Sequence, residues 1–294
     1  MTGRGRVLVL ALVIDALLGE PPGWTHPVVW MGRVLTWLDA HAPARVRSRV
    51  AYGAVVALGV PFLWGWVAGA LGRRLPGVVG QAVVLKPTFA GRSLLLAGRL
   101  VEADLELGRI VEARNALRAL VSRPTALLDE AQMSSAAIES LAENFVDSWL
   151  APLALYALGG LPWAYAYRAA NTADAMWGYH NQRYEYLGKT AARLDDALNL
   201  VPARVGALLL VMLAPDRNGA FKIWRADARR TQSPNAGHTM AAAAGGLGVR
   251  LEKPGEYVLN ASGADPTPRD IQRARRLVRR AMVAAAALCV LARR

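Results

Sequence analysis

The feature that most constrains the fold is an uncharged apolar run from Val50 to Leu71. It reads VAYGAVVALGVPFLWGWVAGAL and contains no Asp, Glu, Lys, Arg or His. A run of about 20 apolar residues is long enough for an α-helix to cross the hydrocarbon core of a bilayer. A helix also satisfies its own backbone hydrogen bonds, which lipid cannot do. The run therefore predicts a membrane-spanning helix.

Other apolar stretches are shorter or carry charges, and 54% of the 294 residues are hydrophobic. They are Val7 to Leu18, Val78 to Leu100, Trp149 to Ala170, Val201 to Leu213 and Leu277 to Ala292. Charges at membrane depth are tolerated where protein or a water-filled cavity covers them. We therefore expect an all-α, polytopic integral membrane protein with about 4–6 membrane-embedded helices. Some of these would be short or re-entrant, polar helical loops would carry the site, and residues 1–294 would form a single domain. Short strands are expected only around Val249 to Leu259.

The composition also bounds the partners. The formal net charge is +13, but no recognition helix or aromatic-basic pattern accompanies it, so nucleic acid is not expected as a partner. The arginines lie beside apolar segments, which favours contact with anionic lipid. Cys289 is the single cysteine, which excludes a disulfide framework or a thiolate metal site within one chain.

The polar run NTADAMWGYHNQRYEYLGKTAARLDDALNLVPAR, from Asn171 to Arg204, is rich in metal-ligating and anion-binding residues. Three positions at i, i+3 and i+7 would share one helical face, namely Asn171, Asp174 and Gly178. Asp195 and Asn199 follow at i and i+4, with Asp196 beside them. Because adjacent helical residues point about 100° apart, at most one of the two aspartates should face the same ligand as Asn199. The alternative is a solvated amphipathic helix pair.

Cations are interleaved with these acids and suit a phosphate or a carboxylate. They are Arg183, Lys189, Arg193 and Arg204. Gly188-Lys189-Thr190 is similar to the end of a P-loop, but the first glycine of that motif would fall at Arg183. A nucleotide site in this chain would therefore not be a standard P-loop.

Glu139, Glu143 and Asp147 recur at i, i+4 and i+8, with Asn144 beside them. On one helix they would form an acidic ridge whose like charges repel. Mg²⁺ bridging to phosphate oxygens would relieve that repulsion, since one or two carboxylates with substrate phosphates are its usual ligands. The alternative is salt bridging to the many arginines.

Two further polar sites lie at predicted helix starts. Pro27 at a first helical position would make His26 the cap of that helix. The stretch Ser233-Pro234-Asn235-Ala236-Gly237 is a turn that would open an alanine-rich helix from His238 onward. Its backbone N–H groups would suit a phosphate, and the alternative is a plain turn and cap.

Four stretches in this order resemble the CobD/CbiB family of cobalamin biosynthesis, the adenosylcobinamide-phosphate synthases. Besides the Asn171–Arg204 run they are LVIDALLGEPPGWTHPVVWMGR (12–33), SSAAIESLAENFVDSWLAPL (134–153) and SPNAGHTMAAAAGGLGV (233–249). The resemblance covers nearly the whole chain. The chain departs from the family at Arg123-Pro124-Thr125, where Arg-Asp-Thr is usual, and at His180 and His238.

The resemblance implies ATP-dependent amide formation between adenosylcobyric acid and (R)-1-amino-2-propanol O-phosphate or a related amino-alcohol phosphate. ATP and Mg²⁺ are implied, with the corrinoid as substrate. The implied catalytic residues are Glu139, Glu143, Asp147, Asp174, Asp195, Asp196 and His26, of which Glu143, Asp147 and Asp196 are the metal candidates. The implied substrate-binding residues are Asn144, Asn171, Tyr179, Asn181, Arg183, Tyr184, Lys189, Arg193, Asn199, Arg204, Ser233 and Asn235.

The resemblance also implies a multi-pass protein of the cell membrane, with the lipid bilayer and other cobalamin-assembly enzymes as candidate partners. ATP is a cytoplasmic reagent, so the active-site loops are expected to be reachable from the cytoplasm. The motifs at Glu139–Asp147 and Asn171–Asp174 flank an apolar segment of about one membrane thickness, so a turn is predicted at Gly159-Gly160-Leu161-Pro162. The alternatives are a non-enzymatic AmpE-like protein and a transporter. A transporter would show repeats in matching halves, and the sequence contains none.

Overall fold

The structure is a computed structural model that describes residues 3–75, 77–179 and 181–293, so His180 lies outside the described residues. The helices are α1 (Gly3–Leu18), α2 (Pro27–Ala40), α3 (Val46–Arg74), α4 (Val78–Leu85), α5 (Gly91–Glu106), α6 (Ile110–Leu117), α7 (Glu130–Phe145), α8 (Ala151–Gly159), α9 (Leu161–Trp177), α10 (Lys189–Leu213), α11 (Arg217–Asp227), α12 (Ala236–Leu247) and α13 (Pro268–Leu291). A 3₁₀ turn covers Lys86–Thr88 and a π-helical turn covers Val146–Leu150. Strands β1 (Leu251–Lys253) and β2 (Tyr257–Leu259) pair antiparallel. The expectation of a mostly helical protein is confirmed, and the strands lie in the stretch predicted to hold them.

Two of the described helices, α3 and α10, are long and apolar enough to cross a membrane by length and composition. Helix α3 contains the whole Val50–Leu71 run and continues through Pro61. The Val201–Leu213 stretch was predicted to be a short segment. It is instead the second half of α10, which continues through Pro202. The helix is longer because the polar residues before Val201 extend it towards Lys189. The polytopic arrangement of about 4–6 spans remains a prediction.

The contacts divide the chain into two compact units, each built from segments distant in sequence. The first comprises Met1–Ala90, Ala151–Asn199 and Leu288–Arg294. In it α9 packs against α2, α3 and α8, and α1 packs against α4. A β-carbon at Gly65 of α3 would lie 2.8 Å from the carbonyl oxygen of Pro162. A larger residue there would therefore force α3 away from α9.

The predicted turn between α8 and α9 is confirmed. Helix α8 ends at Gly159, Gly160 has φ +75°, and Pro162 lies in the first turn of α9. A positive φ is readily adopted by glycine, and proline suits the start of a helix because its missing N–H has no partner there. The chain reverses at this point and α8 packs against α9.

The second unit comprises Gly91–Leu150 and Leu200–Ala287. Helix α7 packs against α5, α6, α12 and β1, and α11 packs closely against α12. From the sequence alone, the glycine-rich stretch from Gly245 to Gly248 lacks the spacing of a dinucleotide loop and is expected to allow close helix packing. The packing is confirmed, because a β-carbon at Gly245 of α12 would lie 2.8 Å from the β-carbon of Ile223 on α11.

From the sequence alone, the stretch from Arg99 to Asn144 is expected to form two helices split near Pro124, with the isolated Gly108 inside the first, because a single glycine is tolerated in a helix. That prediction is wrong, because α5 ends at Glu106 and α6 begins at Ile110. Gly108 has φ +67°, a left-handed conformation that ends a helix and that glycine adopts without steric cost. The predicted break near Pro124 is correct, and α7 follows it with a capping box between Asp129 and Gln132.

Candidate functional site

The second unit contains a cleft of about 140 Å³ over the polar face of α7. Its charged and aromatic lining consists of Arg123, Glu139, Glu143, Lys253 and Tyr257. Helix α7 supplies the two glutamates, the β1–β2 hairpin supplies Lys253 and Tyr257, and the segment after α6 supplies Arg123. We call this the α7 cleft.

The hairpin is held against α7 by a serine. The hydroxyl of Ser135 accepts a hydrogen bond from the backbone N–H of Glu252 at 2.8 Å and donates to Oε1 of Glu139 at 2.7 Å. Lys253 and Tyr257 are directly opposite each other in the strand register, so both project to the same side of the hairpin. The turn between them contains Gly255 at φ +79°. The hairpin therefore brings Lys253 and Tyr257, which are far from α7 in sequence, to the polar face of that helix.

The segment that carries Arg123 is fixed at several points. Ser140 donates to the carbonyl oxygen of Leu120 at 2.7 Å, and Thr125 donates to that of Arg114 at 3.2 Å. The side chain of Arg123 is only 14% exposed, and its Nη2 lies 3.2 Å from Oε2 of Glu139. Its Nε and Nη1 are buried without a hydrogen-bond acceptor among the described residues. Two donor groups of a mostly buried cation are thus unsatisfied by the described protein groups.

Glu139 is saturated by protein donors. Ser135 donates to its Oε1, and both Arg123 and the hydroxyl of Tyr257, at 3.1 Å, donate to its Oε2. Burial raises the pKa of Glu139, and the charge of Arg123 offsets part of that rise. Burial also raises the pKa of Tyr257, and the charge of Glu139 adds to the effect. At Glu139 the structure shows the salt-bridge alternative, not an open metal ligand.

Glu143 lies one turn further along α7, is half-buried and lines the cleft. The third acid of the predicted ridge, Asp147, lies in the π-helical turn Val146–Leu150. A π turn contains more residues than an α turn, so Asp147 does not continue the ridge in α-helical register. Asn144 donates to the carbonyl oxygen of Ser140 at 3.1 Å and accepts from Ser148 at 3.3 Å. Its amide hydrogen bonds therefore run along its own helical segment.

No group of three or more His, Cys, Asp or Glu side chains within the described part of the chain is arranged to hold a metal ion. Mg²⁺ delivered with a nucleotide needs only one or two carboxylates in addition to the phosphates. The carboxylate Glu143, at the edge of a cleft with cations, fits that donor chemistry. The assignment of Glu143, Asp147 and Asp196 as magnesium ligands remains a prediction.

The first unit contains a second polar cluster, in which the predicted faces of α9 and α10 meet. We call it the amide–aspartate cluster, and it consists of Tyr167, Arg168, Asn171, Asp195 and Asn199. Asn171 donates to Oδ1 of Asp195 at 3.1 Å, and Asn199 donates to Oδ2 at 2.9 Å. Arg168 donates to Oδ1 of Asn171 at 3.3 Å, and Tyr167 donates to Oδ1 of Asn199 at 2.9 Å. Two of these hydrogen bonds end on Asp195, which is 8% exposed, and the other two fix the asparagines that donate to it.

The expected difference between the paired aspartates is present in the structure. Asp195 bonds to Asn199, whereas Asp196 is half-buried on a neighbouring face of α10. Asp174 is also half-buried, and its carbonyl oxygen accepts from the N–H of Gly178 at 2.6 Å, where α9 ends. The helical placement of these residues is therefore as predicted, while their chemical roles remain predictions.

The loop between α9 and α10 holds several predicted substrate-binding residues. Oδ1 of Asn181 accepts from the backbone N–H groups of Arg183 and Tyr184 at 3.1 and 3.0 Å. The side chains of Arg183 and Tyr184 contact Oδ2 of Asp39 at 2.6 and 3.1 Å. Tyr179 is exposed and packs loosely against Tyr184, with ring centroids 6.5 Å apart. Arg183 is therefore engaged by a carboxylate of the protein itself. The side chains of Lys189 and Arg193, on the first turns of α10, are exposed.

His26 caps α2, as predicted from Pro27. Its Nδ1 accepts from the N–H of Val28 at 3.2 Å, so in the neutral ring Nε2 carries the proton and donates to Glu20 at 2.6 Å. Lys86 bonds to the other oxygen of Glu20 at 2.6 Å and lies 3.1 Å from Asp15. The histidine is thus tied to a row of buried charges within the first unit.

The predicted turn at Ser233–Gly237 is present, and α12 begins at Ala236, two residues before the expected start. The hydroxyl of Ser233 accepts from the backbone N–H groups of Asn235 and Ala236 at 3.2 and 3.4 Å. Arg204 donates to Oδ1 of Asn235 at 3.2 Å. Since the protein itself occupies two of these N–H groups, the structure favours the plain turn and cap at this position.

Of the charged and aromatic residues that line the α7 cleft, three were not among the predicted site residues, namely Arg123, Lys253 and Tyr257. Arg123 had a usable signal, because it stands where the resembled family usually has the arginine of Arg-Asp-Thr. The two hairpin residues had only the Lys253-Pro254-Gly255 turn signal. That signal indicates a reversal of the chain but not which helix the reversed strand contacts.

Comparison with known proteins decides the family. The family model described as CobD/Cbib protein matches residues 8–279. The chain is 43% identical over 260 residues to the probable cobalamin biosynthesis protein CobD of Methanothermobacter thermautotrophicus, covering 86% of each chain. The chain belongs to the CobD/CbiB family. Another family member, the cobalamin biosynthesis protein CobD of Dehalococcoides mccartyi, is 40% identical over 266 residues, covering 86% of this chain and 85% of the relative.

The relationship extends over nearly the full length of some family members. The cobalamin biosynthesis protein CobD of Chromobacterium violaceum is 41% identical over 304 aligned positions, covering 97% of this chain and 95% of the relative. No solved structure matches the chain. Both the α7 cleft and the amide–aspartate cluster lie inside the residues matched by the CobD/CbiB family model.

Proposed function

We propose that this protein is an adenosylcobinamide-phosphate synthase. It joins the propionate carboxylate of adenosylcobyric acid to the amine of (R)-1-amino-2-propanol O-phosphate, or of a related amino-alcohol phosphate. The observation that carries the proposal is membership of the CobD/CbiB family over residues 8–279, with relatives named for cobalamin biosynthesis. The α7 cleft supports it with cations and a carboxylate suited to phosphate and amine chemistry.

The reaction needs activation because a carboxylate oxygen is a poor leaving group. In the proposed route that oxygen attacks the terminal phosphorus of ATP, the bond to ADP breaks, and an acyl phosphate forms. The neutral amine then attacks the acyl carbon, the carbon–oxygen bond to phosphate breaks, and the amide forms as the nitrogen loses a proton. The protein supplies positioning and charge neutralisation. Arginine and lysine side chains would provide the positive charge, and Mg²⁺ bound with ATP would add to it. Asp147 and Asp196 remain the proposed magnesium ligands, and Glu143 is instead proposed to face the substrate amine.

We further propose that the protein is a multi-pass protein of the cell membrane. Four apolar side chains on one face of α3 are exposed, namely Val55 (70%), Leu58 (58%), Phe62 (76%) and Trp66 (61%). Soluble monomers rarely expose contiguous apolar surface of this kind. Helix α10 has a similar face with Val201, Leu208 and Met212 exposed. The exposure of these apolar faces supports insertion of both helices into a bilayer, in line with the expectation of about 4–6 embedded helices.

The test uses full-length protein purified from membranes in detergent. Incubation with adenosylcobyric acid, (R)-1-amino-2-propanol O-phosphate, ATP and Mg²⁺ should yield adenosylcobinamide phosphate by mass spectrometry. One ADP and one phosphate should accompany each amide formed, and omission of ATP should abolish product. Failure to form the amide with folded protein, or formation of the amide without ATP consumption, would overturn the proposal.

A further inference from the structure

The α7 cleft has an arrangement of charge that the protein itself leaves incomplete. Arg123 is mostly buried, yet its Nε and Nη1 have no acceptor among the described residues. Leaving donors of a buried charged group unpaired is costly. Nε and Nη1 point to different sides of the guanidinium group, so an acceptor oxygen of a ligand, such as that of a phosphate, would satisfy one of these donors. Lys253 also lines the cleft and adds a second positive charge, while its Nζ forms an ion pair with Glu256 at 2.8 Å.

The two glutamates of α7 have different surroundings in this cleft. Glu139 accepts hydrogen bonds from Ser135, Arg123 and Tyr257 on its two oxygens. It therefore holds Arg123 and Tyr257 in place and acts as a positioning residue. Glu143 lies one turn further and lines the cleft. A carboxylate such as that of Glu143 repels a bound phosphate unless the part of the ligand next to the carboxylate carries a positive charge.

The size of the cleft limits the ligand. Its volume is about 140 Å³, close to that of a cavity of about 150 Å³ that holds benzene. Sites for drug-sized molecules and cofactors occupy about 300–1,000 Å³. The volume of the cleft therefore matches a molecule of a few carbon atoms with its phosphate more closely than a corrinoid or a whole nucleotide.

We propose that the α7 cleft binds a small phosphorylated amine, with its phosphate on Arg123 and Lys253 and its ammonium group facing Glu143. The identity of that ligand as the amino-alcohol phosphate substrate rests on the proposed function. The charge complementarity and the size limit rest on the cleft alone. Bound in this way, the amine is held at one end by its phosphate, and Glu143 orients the nitrogen before it loses its proton.

The experiment measures binding by isothermal titration calorimetry with full-length protein in detergent, without corrinoid or ATP and with EDTA present. The probes are (R)-1-amino-2-propanol O-phosphate, propyl phosphate, which lacks the amine, and 1-amino-2-propanol, which lacks the phosphate. The complete molecule should bind at least about tenfold more tightly than either fragment, since each charged group contributes a charge-assisted hydrogen bond.

Two variants test the assignment of each end. Glu143→Gln should lower affinity for the aminopropanol phosphate about tenfold, to the level of propyl phosphate, and should not weaken propyl phosphate itself. Lys253→Gln should weaken both phosphates by a similar factor. The matched controls, Glu112→Gln and Lys222→Gln, remove the same charges from exposed positions on α6 and α11 and should bind all three probes like the unmodified protein. The variants should keep the unmodified melting temperature, which separates lost binding from lost folding.

Several outcomes would overturn the assignment. One is equal affinity for propyl phosphate and the aminopropanol phosphate, and another is unchanged selectivity in Glu143→Gln. Displacement of the aminopropanol phosphate by ATP in EDTA would assign the cleft to a triphosphate instead. Amide formation by a protein whose two cleft variants bind the probes normally would leave the proposed function standing and remove the cleft from it. Selective binding of the aminopropanol phosphate without any amide formation would support the assignment of the cleft and contradict the proposed function.

Discussion

The α7 cleft and the amide–aspartate cluster are built from the same kinds of residue and differ in what surrounds them. Each has carboxylates with amide or hydroxyl partners at helical spacing. In the amide–aspartate cluster both oxygens of Asp195 accept from asparagines that lie on two different helices. In the α7 cleft Glu139 is saturated in a similar way, but Glu143 one turn later borders a cavity of about 140 Å³.

This difference shows that an acid next to an asparagine on a helix does not by itself form a functional site. Asp195 fastens α9 to α10, so its hydrogen bonds stabilise the fold of the first unit. Glu143 borders a space in which a ligand fits, so its carboxylate can contact that ligand. The comparison predicts that the two acids affect different measurements, activity in one case and stability in the other.

The largest expected effect is that of Glu143→Gln on turnover. Glutamine keeps the shape but cannot hold an ammonium ion or accept its proton, so the rate of amide formation should fall by at least about 100-fold. The melting temperature of Glu143→Gln should match that of the control Glu112→Gln. Normal activity in Glu143→Gln, even at limiting Mg²⁺, would remove this acid from the mechanism and erase the contrast between the two clusters.

A smaller effect, on stability, is expected from Asp195→Asn. Asp195 accepts from both Asn171 and Asn199, and the new amide would present its N–H groups to a neighbour that also donates. Arg168 can only donate, so Asn171 cannot reverse its amide without losing that bond. The cost should be about 1–3 kcal/mol of unfolding free energy, measured by thermal unfolding in detergent. The matched variant Asp196→Asn should be milder in stability, and equal, mild losses in the two would instead indicate a solvated surface.

The pH dependence of stability should separate the saturated acid of the α7 cleft from an ordinary surface acid. Burial raises the pKa of Glu139 above its usual value of 4.5. At pH below 4.5 the residue is protonated in both states, and the favourable contribution to stability is fully present. As pH rises above 4.5 and through the raised pKa, the unfolded chain ionises first and that contribution is lost.

Glu139→Gln should therefore show a flatter decline of melting temperature with rising pH than the unmodified protein. The control Glu112→Gln should keep the decline. An identical pH profile in Glu139→Gln and the unmodified protein would show that Glu139 has no raised pKa in the folded state.

The smallest change is a pair of cysteine substitutions that should leave activity intact and report only the membrane side. Ser140 and Ala173 adjoin the two motifs but are buried, so Leu127→Cys and Gln182→Cys, at exposed positions, serve better in a Cys289→Ala background. Because ATP is cytoplasmic, an impermeant thiol reagent should label both from the cytoplasmic face. Labelling from opposite faces would contradict the predicted accessibility of the two motifs.

Local features were predictable because they depend on neighbours in the chain. The apolar Val50–Leu71 run predicted α3, Pro27 predicted the cap at His26, and the glycine pair before Leu161 predicted the turn between α8 and α9. Gly108 was misjudged, because an isolated glycine fits a helix interior and a left-handed helix end equally well. Asp147 was misplaced, because a π turn has no distinct signal in a stretch that also suits an α-helix.

By itself the sequence determined the helical character, the membrane-length segment Val50–Leu71, the family and the helical positions of the acids other than Asp147. These follow from hydrophobic periodicity, turn residues and ordered motifs, all of which are local or linear properties of the chain. Only the tertiary structure decided that Asp195 is enclosed by asparagines from two helices while Glu143 borders a cleft. It also brought Arg123, Lys253 and Tyr257 to α7. Which side chains surround a charge depends on contacts between residues far apart in sequence, and burial and hydrogen bonding by those neighbours decide whether the charge stabilises the fold or meets a ligand.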